Sequence, residues 1–384
     1  MSYLNFLLVV FGFEIYTYSQ RKISSSTFKM QQICNHVLSQ FILFFPLLVI
    51  LIVFHSYGLV NTYSFSILLI LLVFELISQE LSRFLIALDM HLQSAIASFI
   101  RNSSWSLLSI TLFIFIESER EVGNIFYIYL AMSVLSLLYS GYKVSKFFTE
   151  HDEAVNFDIR KFSNWFVSSM KNSSVYFISG VSASFLFFID RYMLSHFSSD
   201  KDLATHTVFI AVSLSITSLL LSTVYSYNLP NIVRVVKNKS VKNIQKLFSH
   251  LTMEVVILLM LVDVLVVFIL PYLFQFIGKE EYISLISYFY LLLIVANVNS
   301  ISYIPHYYMY SSDMDKTLCI ISITGVVVFV VTIFVLFYLN ISPLFAVGFG
   351  LLTTFSYMLL SKSVIAAKHF FRLRNEKETR NICS

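Results

Sequence analysis

The chain has 384 residues, of which 57% are apolar and only 12% charged, against about 25% charged in an ordinary soluble domain. Apolar runs of membrane length recur from end to end, which excludes a pair of soluble domains. The net charge is only +4, and the three cysteines, Cys34, Cys319 and Cys383, lack CxxC spacing and fit neither a disulfide framework nor a zinc site.

A spanning helix needs about 20 apolar residues. Eleven segments read as spans: 2–18, 38–56, 61–80, 102–117, 124–141, 172–191, 205–226, 251–273, 282–303, 317–338 and 343–361. The expected fold is all-α and polytopic. Glu14 lies near the end of the first span, half exposed or paired with Arg21 or Lys22. The third span closes on "FELISQELSRFLIAL", with Glu75, Gln79 and Arg83 spaced i, i+4, i+8 on one helical face and Glu80 within reach of Arg83. The plain reading is an internally paired helix end. Arg101 precedes "NSSW" at the start of the fourth span, where an arginine can snorkel to headgroups.

After the fifth span comes the longest connection, residues 142–171, mixed in charge. It divides the chain into a lobe of five spans (1–141) and a lobe of six (172–361), followed by a basic tail (362–384). The sixth span ends in "FFIDRYMLSH". Adjacent helical residues point about 100° apart, so Asp190 and Arg191 each need another partner or water. An interface anchor and a cavity rim both fit, and Tyr192 suits an aromatic belt. Asp263 sits near the middle of "EVVILLMLVDVLVVFIL". A central acid costs about 2.5–3.5 kcal/mol on insertion scales, so it is either a working group in a cavity or a contact to a neighbouring helix.

Basic residues set the orientation. With the C-terminus inside, 22 of the 26 lysines and arginines fall on inside segments, and only Arg120, Arg191, Lys201 and Lys279 fall outside. The tail is then a cytoplasmic stop, and nucleic acid is not an expected partner. The halves also echo one another. Tyr-x-Tyr occurs at 16–18 and 225–227, and Asp-Met at 89–90 and 313–314. Matching the halves makes the first span the second helix of a six-helix lobe, so a twelve-helix arrangement lacking its first helix is expected. No histidine pattern would hold a metal and no GxGxxG or P-loop is present, so neither metal nor cofactor is expected.

Two lobes, a cytoplasmic inter-lobe loop and an Asp-Arg motif opening the second lobe resemble the multidrug/oligosaccharidyl-lipid/polysaccharide exporters. Within that superfamily the chain is most similar to bacterial flippases of O-antigen or capsule repeat units. The matching stretches are "GFEIYTYSQRKI" (12–23), "FELISQELSRFLIAL" (74–88), "FIRNSSWSLL" (99–108) and "FFIDRYMLSHFSS" (187–199). The Asp-Arg-x-x-Leu motif reads Asp190, Arg191, Leu194, but the small residues and Gly-Tyr that often follow it are replaced by "KDLATHTVF".

The resemblance implies a multi-pass protein of the bacterial inner membrane. It would carry undecaprenyl-diphosphate-linked oligosaccharides from the cytoplasmic to the periplasmic leaflet by alternating access. The lipid bilayer and the polymerase and chain-length regulator of the same pathway are the expected partners. The substrate-binding candidates are Arg83 and Arg101 near the cytoplasmic mouth with Glu75, Asp263 at mid-depth, and Asp190 and Arg191 at the periplasmic rim. A pathway enzyme (polymerase, ligase or acyltransferase) is disfavoured by short outside loops with four basic residues. A drug/cation antiporter of the same superfamily remains the other alternative.

Overall fold

The structure, a computed structural model, describes residues 2–25, 28–57, 65–116, 122–151 and 158–383. The described residues are almost entirely helical. The N-terminal half contains α1 (Ser2–Gly12), α2 (Ile15–Ser25), α3 (Lys29–Ser56), α4 (Phe65–Ala87), α5 (His91–Asn102), α6 (Ser104–Phe115) and α7 (Val122–His151). The long helix α8 (Ile159–Phe197) leads into α9 (Asp200–Leu220), a π-helical turn (Leu221–Tyr225), α10 (Ser226–Lys237) and α11 (Val241–Phe276). A 3₁₀ turn (Glu280–Leu285) precedes α12 (Ile286–Ser311), α13 (Asp315–Tyr338) and α14 (Pro343–Cys383). Among the described residues nine helices are long and apolar enough to cross a membrane. The chain is a multi-pass, all-α membrane protein.

Two expected spans take a different form. The segment 2–18 is broken between α1 and α2, where Phe13 and Glu14 both adopt positive φ (46° and 53°). The segment 102–117 is represented by the 12-residue α6. Residues 117–121, at and beyond its end, lie outside the described residues, as do 152–157 of the inter-lobe connection.

The chain divides into two compact units, Met1–Val181 and Ser182–Ser384, and the boundary falls within α8. In lipid, apolar surface supplies no drive for helix to pair with helix, so close approach and interhelical hydrogen bonds take that role. In the N-terminal unit serines do this work. Ser78 of α4 donates to Ser136 of α7 at 2.9 Å, Ser136 donates to the Ala97 carbonyl of α5 at 2.8 Å, and Ser94 of α5 donates to the Ser82 carbonyl of α4 at 2.8 Å. Each such bond contributes about 0.6 kcal/mol. In the C-terminal unit, Gly348 lets α14 close on α12. A Cβ there would meet Leu291 and Tyr288 at 2.7 Å.

The Asp-Met echo has a local cause. Asp89 (φ 63°) and Asp313 (φ 58°) each take the left-handed position after a helix. The Met90 and Met314 amides then reach back to the Leu85 and Met309 carbonyls at 2.8 and 3.0 Å. This helix stop satisfies carbonyls the helix end leaves free. The same bond closes α11 at Gly278 (Lys279 to Phe274, 2.8 Å) and α13 at Asn340 (Ile341 to Leu336, 3.1 Å). The echo is therefore a stop signal used repeatedly, and does not by itself mark a duplication.

Candidate functional site

The break after α1 organises the N-terminal unit. A chain interruption at membrane depth is tolerated only where protein satisfies the freed backbone. Here Gln40 of α3 donates its amide to the Gly12 carbonyl at 3.0 Å, and Thr17 caps the Glu14 carbonyl through its hydroxyl at 2.7 Å. On the other side Gly180 of α8 lies close, since a Cβ there would meet the Glu14 carboxylate at 3.3 Å. The Glu14 carboxylate accepts from the Tyr16 hydroxyl.

Around this break lies a chain of ionic contacts. The Arg83 guanidinium stacks over the Tyr16 ring, 3.5 Å from its centre, and donates to Glu80 one turn back on α4. The other Glu80 oxygen lies 2.8 Å from His36 Nε2 of α3, and His36 Nδ1 meets the Ser19 hydroxyl of α2 at 2.5 Å. His36 and Ser19 are fully buried, whereas the Arg83 side chain keeps 22% of its surface open. Arg83 is thus held on one side and accessible on the other. Glu80, His36 and Gln40 are the polar residues lining a mostly apolar cavity of about 160 Å³ between α3 and α4.

A second pair lies further along α4. Glu75 forms an ion pair with Arg101 of α5, 3.2 Å from its Nε, which donates to Asn102 Oδ1, and accepts from Ser133 of α7 at 2.8 Å. Arg101 is 8% exposed and its Nη1 has no hydrogen-bond partner. The snorkelling read for Arg101 is not adopted, because a carboxylate on the adjacent helix draws the guanidinium inward. The face of Glu75, Gln79 and Arg83 likewise separates into two pairs, Glu75 with Arg101 and Glu80 with Arg83.

In the C-terminal unit Asp190 is fully buried. Its Oδ2 lies 3.1 Å from His206 Nε2 of α9, and His206 Nδ1 meets the Tyr288 hydroxyl of α12 at 2.7 Å. Its Oδ1 accepts the Arg191 backbone amide at 2.5 Å. The required separate partner exists, and it is a histidine rather than water. Asp190 does not lie on an open rim. Arg191 is half-buried, and its Nε is an unpartnered buried donor. Asp263 of α11 accepts from the Asn297 amide of α12 at 2.6 Å, while Asp263 Oδ1 and Asn297 Oδ1 are both buried without a donor among the described residues.

Sequence reasoning did not find His36, His206, Tyr288 or Asn297. Each reaches its partner across a helix interface, and spacing within one helix carries no such signal. The tight turn at Asp89 that folds α5 back on α4 was the available hint for Arg101 and Glu75. Among the described residues no cluster of histidine, cysteine and carboxylate side chains is arranged to hold a metal ion.

No family profile matches the chain, and no curated protein matches it. Solved structures do. The chain is similar to a multidrug resistance MATE family transporter of the MOP superfamily in its inward-facing conformation, with TM-score 0.72 and 14% identity over 97% of this chain and 89% of that one. It is also similar to the outward-facing conformation of such a transporter, with TM-score 0.68 and 15% identity over 97% and 86%. A third similar structure is a MOP superfamily transporter from Pyrococcus furiosus whose reversed binding-pocket polarity suggests a different function, with TM-score 0.68 and 14% identity over 97% and 86%.

Proposed function

We propose that this protein is a flippase for lipid-linked oligosaccharides. It moves undecaprenyl-diphosphate-linked repeat units from the cytoplasmic to the periplasmic leaflet of a bacterial inner membrane by alternating access, for O-antigen or capsule assembly. The fold of the chain is that of MATE transporters, which supports transport as the activity class. The observation that carries the finer reading is Arg83, stacked on Tyr16 and braced by Glu80 while one side stays open. A guanidinium presents a planar fork that matches phosphate oxygens, and a diphosphate is the group such a substrate presents near the headgroup plane. The interrupted helix beside it supports the same placement, since discontinuous helices mark substrate sites in transporters of repeated halves. On the 22-to-4 charge split the C-terminus and residues 142–171 are cytoplasmic.

Deleting the gene should leave short, uncapped lipopolysaccharide or no capsule, with lipid-linked repeat units retained on the cytoplasmic leaflet. If single repeat units still reach the periplasm and only chain length changes, the chain is a polymerase. A drug/cation antiporter is the second reading, supported by the MATE fold and by the buried carboxylates Glu75 and Glu80. It would instead give drug sensitivity with normal glycan on deletion.

Asp263 is the mid-depth test. Its unpaired oxygen beside that of Asn297 leaves two acceptors facing no donor, and substrate hydroxyls or a proton would satisfy them. Asp263→Ala is expected to abolish glycan display with the protein still present by blot. Full display would reduce Asp263 to a packing contact with Asn297.

A further inference from the structure

The C-terminal unit holds a buried cation that no acid answers. Lys362 of α14 is 8% exposed. It makes no ion pair and no hydrogen bond with any described residue, and its ammonium stands 5.9 Å from the centre of the Tyr303 ring of α12. The surrounding protein, not lipid, covers it. An ammonium with no acid beside it is not set there by ion pairing, and ionisable groups within a membrane protein are retained for a use by default.

Around Lys362 lies an aromatic cluster. The Tyr303 ring lies 5.9 Å from Tyr225 and 6.1 Å from Tyr307, and Tyr225 lies 5.2 Å from Tyr307. His306 stands edge-on to both Tyr303 and Tyr307, at 5.6 and 5.7 Å. Tyr225 comes to this position at the end of the π-helical turn, and its hydroxyl is fixed on the Ser300 carbonyl at 2.7 Å. Such one-residue insertions into helices recur at functional sites. The Tyr303 and Tyr307 hydroxyls and the His306 ring make no hydrogen bond with any described residue, and all three side chains are only half-buried. The cluster thus presents one cation, hydroxyl and ring N–H donors and no carboxylate among the described residues, together with ring faces.

We infer that Tyr225, Tyr303, His306, Tyr307 and Lys362 form an anion site for a phosphate or diphosphate ester, with an attached sugar ring packed on the tyrosines. Phosphate oxygens accept from the ammonium, the Tyr303 and Tyr307 hydroxyls and the imidazole, and the polarised C–H face of a sugar lies on aromatic rings, Tyr225 among them. The inference deepens the flippase reading and rests on it for the identity of the sugar-bearing ligand.

The test uses the full-length protein, purified in nanodiscs and carrying Arg83→Ala so that the N-terminal arginine contributes nothing. Binding of inorganic pyrophosphate and of farnesyl diphosphate is measured at equilibrium, with the same variant plus Lys362→Ala, Lys362→Arg or Tyr303→Phe/Tyr307→Phe. Lys362→Ala is expected to weaken binding of both probes at least tenfold. Lys362→Arg should retain it, and the double tyrosine variant should fall between. Tighter binding of farnesyl diphosphate than of pyrophosphate assigns the site to a lipid headgroup, and equal binding assigns it to a free phosphate anion. Wild-type binding in the Lys362→Ala variant overturns the inference, and should that variant not fold, wild-type binding in the double tyrosine variant does so. Lysine-dependent binding combined with no movement of lipid-linked glycan by the protein with Arg83 intact would instead sink the flippase reading and leave the anion site standing.

Discussion

Arg83→Ala is expected to abolish glycan display while the protein stays in the membrane. Among the described residues the guanidinium donates to Glu80 and stacks on the Tyr16 ring at 3.5 Å. Its open side is the part available to a substrate phosphate. Removing it also leaves Glu80 without its cation, although His36 at 2.8 Å still answers that carboxylate. Removing one partner of a fully buried pair costs about 3–5 kcal/mol. With His36 in place and 22% of the arginine side chain exposed, the structural cost should lie below that range. Arg83→Lys separates the two effects. It keeps the charge beside Glu80 but loses the bidentate fork, so membrane levels should match the wild type while display recovers only in part. Complementation of a deletion strain, with protein levels checked by blot, is the measurement. Full display from Arg83→Ala would remove Arg83 from the site.

The second large effect concerns stability. Glu75 and Arg101 are both nearly covered, with side-chain exposures of 5% and 9%, and they meet at 3.2 Å. Arg101→Ala leaves the Glu75 carboxylate with Ser133 and Tyr129, and Glu75→Ala leaves a buried guanidinium whose Nη1 already lacks a partner among the described residues. Each single change should destabilise the protein by about 3–5 kcal/mol. The paired change Glu75→Leu/Arg101→Met removes both charges together and should recover most of that loss, because apolar replacement of a whole buried pair is often neutral. Thermal melts in detergent of the wild type, Glu75→Leu, Arg101→Met and the paired variant close the cycle. A double variant as unstable as the sum of the singles would mean that the two charges are not coupled. A stable double variant that no longer moves glycan would give the pair a role in transport beyond packing.

The all-α, membrane-spanning character was legible because hydropathy reads directly in composition and run length. The break at Phe13–Glu14 was not, since neither residue is a glycine or proline and the strain there is met from outside, by Gln40 and the close approach of α8. Within one helix the sequence was informative. The i, i+3 pairing of Glu80 with Arg83 is present as spacing suggested. Between helices it was silent. Asp190 closes an apolar run, where water would be expected, yet α8 continues to Phe197 and His206, itself bonded to Tyr288, meets it. Lys362 reads as the first residue of a basic tail, yet packing of α14 on α12 draws it under Tyr303. In each case the deciding contact comes from a helix distant in sequence, and only the fold brings the two together.

The central claim is translocation itself. Purified protein is reconstituted into vesicles that carry undecaprenyl-diphosphate-linked oligosaccharide in both leaflets, and a membrane-impermeant glycosidase is added outside. In vesicles containing the wild-type chain, the account predicts cleavage of nearly all the glycan as the inner pool is brought out. Arrest at the outer-leaflet pool, as in protein-free vesicles, would contradict it.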